Sequence, residues 1–323
     1  MRTVVVLSIL AVLFVLPITC SAVTIPTVPV SDPGNSPDAR YASPGYGSVG
    51  YTYNVGKYEV TAGQYTEFLN AVAADNPYGL YNYKMGEAVW SGCNIQQSGS
   101  SGSYIYSVAA DWANRPVNYV GYWDACRFAN WLQSGNTETG AYDLNGVMTD
   151  ETPITRNAGW MWAVASNDEW YKAAYYDPEK PGSPGYWDYA TRSNDAPGNQ
   201  IADPDIGNQA NYMIDDYTIG EPYYRTVVGE FENSASAFGT FDQSGNLWEW
   251  NQGGMTKPWL RGGSYGNNDA SYLSASACSG YYGPTTEGTL IGFRVVQAVP
   301  EPTSLLILSC GLIPLLGLRR RKA

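Results

Sequence analysis

Three stretches of the chain carry apolar positions at helical spacing. Tyr65, Phe68, Leu69 and Val72 fall at i, i+3, i+4 and i+7 behind Thr61 and Gln64, which stand at capping-box spacing. A helix with one buried face is predicted from Thr61. Ala125, Phe128, Ala129 and Leu132 repeat the pattern, with Asp124 as the expected cap and Gly135 as a left-handed stop. Ser166 and Glu169 form a second capping box ahead of Trp170, Ala173 and Ala174, and Asp177-Pro178 ends that helix.

Strand signals are shorter. Tyr51-Thr52-Tyr53-Asn54-Val55 opens an extended segment running to Val60, and residues 261–265 and 292–296 read as late strands. Trp248 and Trp250 alternate around Glu249, which puts the rings on one face and the carboxylate on the other. Between Asp177 and Gly220 no period survives. Pro, Gly, Asn and Asp dominate there, interleaved with Tyr and Trp, which favours an ordered loop. Residues 23–50 are rich in Pro, Gly, Ser and Asp and read as an exposed leader. The predicted class is α+β, with few helices, short strands and much ordered loop, in one domain over 51–298.

Composition narrows the chemistry. The 323 residues contain no histidine, so imidazole bases, Ser-His-Asp triads and histidine metal sites are excluded. The net charge of −12 repels phosphate backbones, so nucleic acid is not an expected partner. Aromatic residues reach 14%, enough to build a substantial core. Of five cysteines, Cys93, Cys126 and Cys278 lie outside the two ends, which allows one disulfide plus one thiol without deciding the pair.

The ends read as addresses. Arg2, an apolar run over Val4–Leu16, and the small residues Cys20-Ser21-Ala22 form a secretory signal peptide over 1–22. Pro17-Ile18-Thr19 makes a poor lipobox for Cys20, and the run is short for a membrane anchor. At the C-terminus, Pro300-Glu301-Pro302 precedes an apolar stretch from Leu305 to Leu318 and the basic cluster Arg319-Arg320-Arg321-Lys322. This order over 299–323 resembles a PEP-CTERM sorting signal. The resemblance implies a Gram-negative envelope, an exosortase-type enzyme that removes the tail, and a membrane contact only through that tail before processing.

Six segments then follow in a recurring order. They are Tyr58-Glu59-Val60-Thr61-Ala62-Gly63-Gln64-Tyr65, Arg115-Pro116-Val117-Asn118-Tyr119-Val120 leading into Trp123–Leu132, Val164–Trp170, Gly245-Asn246-Leu247-Trp248-Glu249-Trp250, Arg261-Gly262-Gly263-Ser264 and Gly292-Phe293-Arg294. Together they resemble the sulfatase-modifying-factor family, with the formylglycine-generating-enzyme fold and its C-type lectin-like architecture. Most of these motifs read as scaffold, and Arg294 is expected to pair a buried acid.

The family's oxidases carry two cysteines shortly after the Arg/Lys-Gly-Gly-Ser segment, which together bind one copper ion. Soft thiolates are what hold Cu(I). Here Asn267 and Tyr272 occupy those positions, so copper is not expected and the reading leans away from an enzyme. The resemblance also implies structural calcium in two loops. In the first, Asp242 supplies a side-chain oxygen, Gln243, Gly245 and Leu247 supply carbonyls, and Glu249 assists. In the second, Asn211 and Tyr212 act with a later acid, Glu221 or Asp216. The expected function is an exported, non-catalytic module bound to an extracellular polysaccharide or surface protein. The alternatives are a copper-dependent formylglycine-generating oxidase and a purely structural extracellular protein.

Overall fold

The computed structural model describes residues 23–87, 91–147, 149, 155–253, 257–280 and 282–300. The predicted signal peptide and the tail from Glu301 onward lie outside the described residues. Among the described residues no helix is long and apolar enough to cross a membrane.

Two small sheets frame the molecule. Strands β1 (Thr27–Val30), β2 (Tyr53–Gly56), β5 (Trp162–Val164) and β11 (Val295–Ala298) form an antiparallel sheet in the order β1-β2-β11-β5. Strands β8 (Trp248–Asn251), β9 (Trp259–Arg261) and β10 (Ile291–Phe293) form the second, with β10 parallel and β9 antiparallel to β8. Two hairpins complete the strands, β3 (Ile95–Ser98) with β4 (Ile105–Val108) and β6 (Tyr176–Asp177) with β7 (Gly185–Tyr186). The predicted α+β class, with short strands and long ordered loops, is what the chain adopts.

The helices follow their caps. Helix α1 (Ala62–Val72) starts at Thr61, whose side chain accepts from Gln64 N at 3.2 Å while Gln64 Oε1 accepts from Thr61 N at 2.9 Å. Helix α2 (Ala110–Ala113) is a single turn that the apolar period does not reveal. Helix α3 (Tyr122–Ser134) begins one turn earlier than expected. Gly121 is its cap, and Asp124 sits at the third helical position, where Oδ2 accepts from Gly121 N at 2.9 Å. Gly135 ends it in the left-handed region at φ 74°. Helix α4 (Asn167–Tyr175) carries the Ser166–Glu169 box and buries Trp170, Ala173 and Ala174 as predicted.

The stretch 23–50 is not simply an exposed leader. Thr27–Val30 pairs with Tyr53–Gly56, and Val30, Asn35, Asp38 and Val49 are buried. Its polar composition hid a strand whose partner lies about 25 residues on, because pairing supplies what local pattern lacks. The loop after Asp177 is ordered and closed by short bridges such as Gly198 with Gln209 and Asn211 with Gly245.

Helices α1 and α3 bury their apolar faces together. Tyr65, Phe68, Phe128 and Phe293 meet at 5.3–6.5 Å between ring centres, edge-on or tilted except for the stacked Tyr65–Phe128 pair, all favoured geometries for aromatic clusters. Cys93 and Cys126 belong to this core. All three described cysteines are free, so the allowed disulfide does not form.

Candidate functional site

The end of β9 and the turn after it anchor the loop that walls a cavity. Arg261 is fully buried and donates from Nε to Asn167 Oδ1 at 2.6 Å and from its guanidinium to the Ala277 carbonyl at 2.9 Å. The guanidinium also stacks on Tyr46 and Tyr171 at 4.7 and 4.9 Å from their ring centres. One cation thus fastens the 275–277 loop to helix α4. Gly262 and Gly263 follow with φ of +94° and +70°. A Cβ on Gly263 would lie 2.7 Å from Leu273, so the residue type permits the close pass.

Ser264 then donates from both N and Oγ to Asn267 Oδ1, at 2.8 and 3.0 Å. Asp269 caps a short 3-10 turn over Ala270–Leu273. This turn presents Tyr272, 46% exposed, edge-on to the Trp248 ring. Behind it lies a cavity of about 760 Å³ lined by Trp248, Leu260, Asn267, Tyr272, Cys278 and Ile291, among others. The 265–290 loop forms much of its wall. Residues of the 177–224 loop do not line it.

Asn267 and Tyr272, singled out from the sequence, therefore share one cavity, but in different roles. Asn267 is a turn cap and Tyr272 is an exposed aromatic platform. Cys278 is the only cysteine lining this space. Cys93 and Cys126 are buried in the core, where desolvation pushes both thiols above their ordinary range and away from the thiolate a metal needs.

The two loops expected to hold calcium are stitched together. Asn246 N donates to the Asn211 carbonyl at 2.8 Å, and Asn211 Nδ2 donates to Asn246 Oδ1 at 2.9 Å. Gly245, at φ +91°, allows this, because a Cβ there would sit 2.4 Å from the Asn211 oxygen. Asp242 and Asn246 also adopt left-handed backbone, at 63° and 62°. One Asp242 oxygen accepts from Gly229 N at 2.7 Å, and burial pushes its pKa up to about 6. The Gln243 amide is held by Thr240 and by the Trp170 carbonyl. Leu247 N and Asn246 Nδ2 both donate to Glu59, a buried acid of the Tyr58–Tyr65 motif whose role the sequence pattern does not reveal.

Glu249 stands apart from this oxygen set. Both its oxygens accept from Arg294, and Oε2 also accepts from Trp170 Nε1 at 2.8 Å. Tyr212 sits beside Asn211 but donates its hydroxyl to the Pro197 carbonyl. Asp216 and Glu221 lie exposed. Among the described residues no three His, Cys, Asp or Glu side chains gather as a metal-binding group. The buried Asn211 Oδ1 has no hydrogen-bond partner. That orphaned hard donor belongs to a residue paired with Gly245 and Asn246, three and four residues after Asp242, and an oxygen of this kind fits calcium. The saturated Glu249 carboxylate does not.

The family assignment follows from the whole frame. A profile described as the sulfatase-modifying factor enzyme 1-like domain matches residues 42–299. The chain belongs to this family. The structure named CarF is similar at 20% identity with a TM-score of 0.51, covering 86% of this chain and 99% of its own. Treponema denticola variable protein 1 is 15% identical over 84% of this chain and 94% of its own, at a TM-score of 0.46. PvdO from Pseudomonas aeruginosa is 18% identical over 78% and 82%, at 0.43. No curated protein matches the sequence. CarF shares the fold of this sulfatase-modifying-factor-like domain, and that likeness extends no further than the fold.

Proposed function

We propose that this domain is an exported, non-catalytic binding module of the cell envelope, associated with extracellular polysaccharide. The observation that carries the reading is the fate of two positions. Where the family's oxidases place a copper-binding cysteine pair, Asn267 caps a turn through Ser264, and Tyr272 offers an exposed ring over a cavity. An amide engaged in a turn and a phenol cannot grip Cu(I). An exposed ring beside serine and threonine hydroxyls suits a ligand that presents both apolar faces and hydrogen-bonding groups.

Export supports the same reading. The predicted signal peptide and the PEP-CTERM-like tail, with Pro300 at its start, would deliver the domain outside the inner membrane by way of an exosortase-type enzyme. Calcium belongs to this proposal as a structural ion near Asn211 and Asp242.

The test combines two measurements on the processed protein. Copper titration and oxygen uptake with a cysteine-containing sulfatase peptide are expected to show no tight copper binding and no turnover. Binding to polysaccharide extracted from a PEP-CTERM-encoding bacterium is expected to saturate and to weaken in Tyr272→Ala. Copper-dependent oxygen uptake would establish the oxidase reading instead. An absence of any saturable ligand would favour a purely structural protein.

A further inference from the structure

A second cleft lies away from Tyr272 and uses none of its residues. It encloses about 730 Å³ and is lined by Tyr46, Tyr51, Trp160, Asp168, Gln252 and Trp259, among others. These residues come from the N-terminal segment, the loop before β5, the start of α4 and the two ends of the β8–β9 connection. The start of helix α4 contributes Asn167 and Asp168 to its lining. Arg261 fixes the Asn167 side chain at 2.6 Å, and Gly47 N donates to Asp168 Oδ1 at 2.8 Å.

Four aromatic rings line this cleft in two contacting pairs. Tyr51 and Trp160 meet at 6.5 Å and 63°, and Tyr46 and Trp259 meet at 5.9 Å and 84°. Arg156 stacks on one face of Trp160 at 4.4 Å, and Arg261 lies over Tyr46 at 4.7 Å and Trp259 at 5.9 Å, so each of these three rings has its other face to offer to C–H groups. Between them in the lining stand amide and carboxylate groups. The Gln252 side chain has no hydrogen-bond partner among the described residues, although its backbone joins Ala165 and Asn167.

The charge of the cleft decides which polymer it takes. Arg156 is its cation, and Glu169 already neutralises it through two contacts of 2.9 Å, while its Nη2 also donates to the Val164 carbonyl. Asp168 has no ion-pair partner among the described residues. Arg261 lies close enough to offset part of the Asp168 charge, so the lining itself is near neutral, while the chain as a whole carries −12. An anionic chain is repelled. A neutral ring with an apolar face and vicinal hydroxyls fits: the face lies on an indole or phenol, and the hydroxyls reach the Asp168 carboxylate and the Gln252 amide.

We infer that the cleft between Trp160, Asp168, Gln252 and Trp259 is a saccharide site for neutral pyranose chains, separate from the Tyr272 cavity. It deepens the envelope-binding reading by naming a polymer class, yet it stands on its own residues. The two fail separately, since loss of one site leaves the other.

Tryptophan fluorescence and calorimetry of the processed protein test it, using cello-, malto-, lamino- and mannohexaose as neutral probes and oligoguluronate as the acidic one. Saturable binding of at least one neutral hexasaccharide is expected, with none for oligoguluronate. Trp160→Ala and Gln252→Ala are expected to weaken it by on the order of tenfold each, with melting curves close to the parent. Tyr272→Ala is expected to leave it unchanged. Failure of all four neutral probes overturns the inference. So does equal binding of oligoguluronate, or binding that Trp160→Ala and Gln252→Ala leave intact while Tyr272→Ala abolishes it.

Discussion

Arg294 clasps Glu249 from both sides of the carboxylate, Nε to Oε2 and Nη2 to Oε1, each at 2.6 Å with both side chains fully buried. The arginine also donates to the Gly56 and Phe241 carbonyls, so it ties β2, the 241 loop and β8 to the link between β10 and β11. Removing one partner would leave the other charged in a dry interior. Arg294→Met is expected to cost about 3–5 kcal/mol. The double variant Arg294→Met with Glu249→Leu is expected to recover much of that loss, since the desolvation cost then disappears from both sides. Chemical denaturation of the three variants checks this. A double variant no more stable than Arg294→Met would show that the ion pair is not what the arginine contributes.

The start of helix α1 gives a smaller and cleaner number. Thr61 is nearly buried and its hydroxyl accepts from Gln64 N, while Gln64 Oε1 returns a bond to Thr61 N. Gln64 also donates to the Thr24 carbonyl, which ties the cap to the N-terminal segment. Thr61→Ala is expected to lower stability by about 1 kcal/mol, and Thr61→Ser by less, because the serine hydroxyl keeps the acceptor. Equal losses for Ala and Ser in urea melts would place the contribution in the methyl group rather than the cap.

What the sequence made legible is what is local. Both capping boxes and the Gly135 stop involve partners three or four residues apart, and all form as read. Asp124 was misplaced by one turn for a local reason too: the bare Gly121 takes the cap, and the acid reaches back from the third position. Strand β1 escaped because it is only four residues long, is interrupted by Pro29, and has a remote partner. Arg294 was readable as the mate of a buried acid, yet choosing Glu249 over Glu59 required three dimensions. The positions Asn267 and Tyr272 were legible by their spacing after Arg261-Gly262-Gly263-Ser264, but the cavity they line was not. The cleft of Trp160, Asp168 and Gln252 was not, because no motif joins residues that sit up to about 90 positions apart.

Asp124 makes stability depend on pH with a definite sign. It is buried in the first turn of helix α3, and desolvation, reinforced by the neighbouring Glu287, pushes its pKa up to about 7. The unfolded chain holds that proton with a pKa near the ordinary 3.8. The folded form therefore binds the proton more tightly. Its contribution is fully present below about pH 4 and is lost as pH rises through about 7. Asp124→Asn keeps an acceptor for Gly121 N without the charge. Between pH 5 and pH 8 the melting temperature of the variant is expected to fall less than that of the parent. Parallel pH profiles for the two proteins would remove Asp124 as the source.

Calcium provides the remaining test, and Asp242 sets its pH dependence. The proposed ion would use hard oxygens around the stitched loops, including the orphaned Asn211 Oδ1 and Asp242. Asp242 has a pKa raised to about 6 by burial, so in the absence of a cation it is largely protonated at pH 5. A divalent ion must displace that proton, which links calcium binding to pH. Calcium is therefore expected to raise the melting temperature, with a larger shift at pH 8 than at pH 5. A concentration one hundred times the dissociation constant corresponds to about 2.7 kcal/mol of added stability. Asn211→Ala and Asp242→Ala are each expected to diminish the shift, and a chelator to reverse it in the parent. Magnesium is expected to give a smaller effect, since a site rich in carbonyls and an amide oxygen does not impose the octahedral shell that ion demands. A melting temperature indifferent to calcium at both pH values would mean that the Asn211–Asn246 bonds alone hold these loops together.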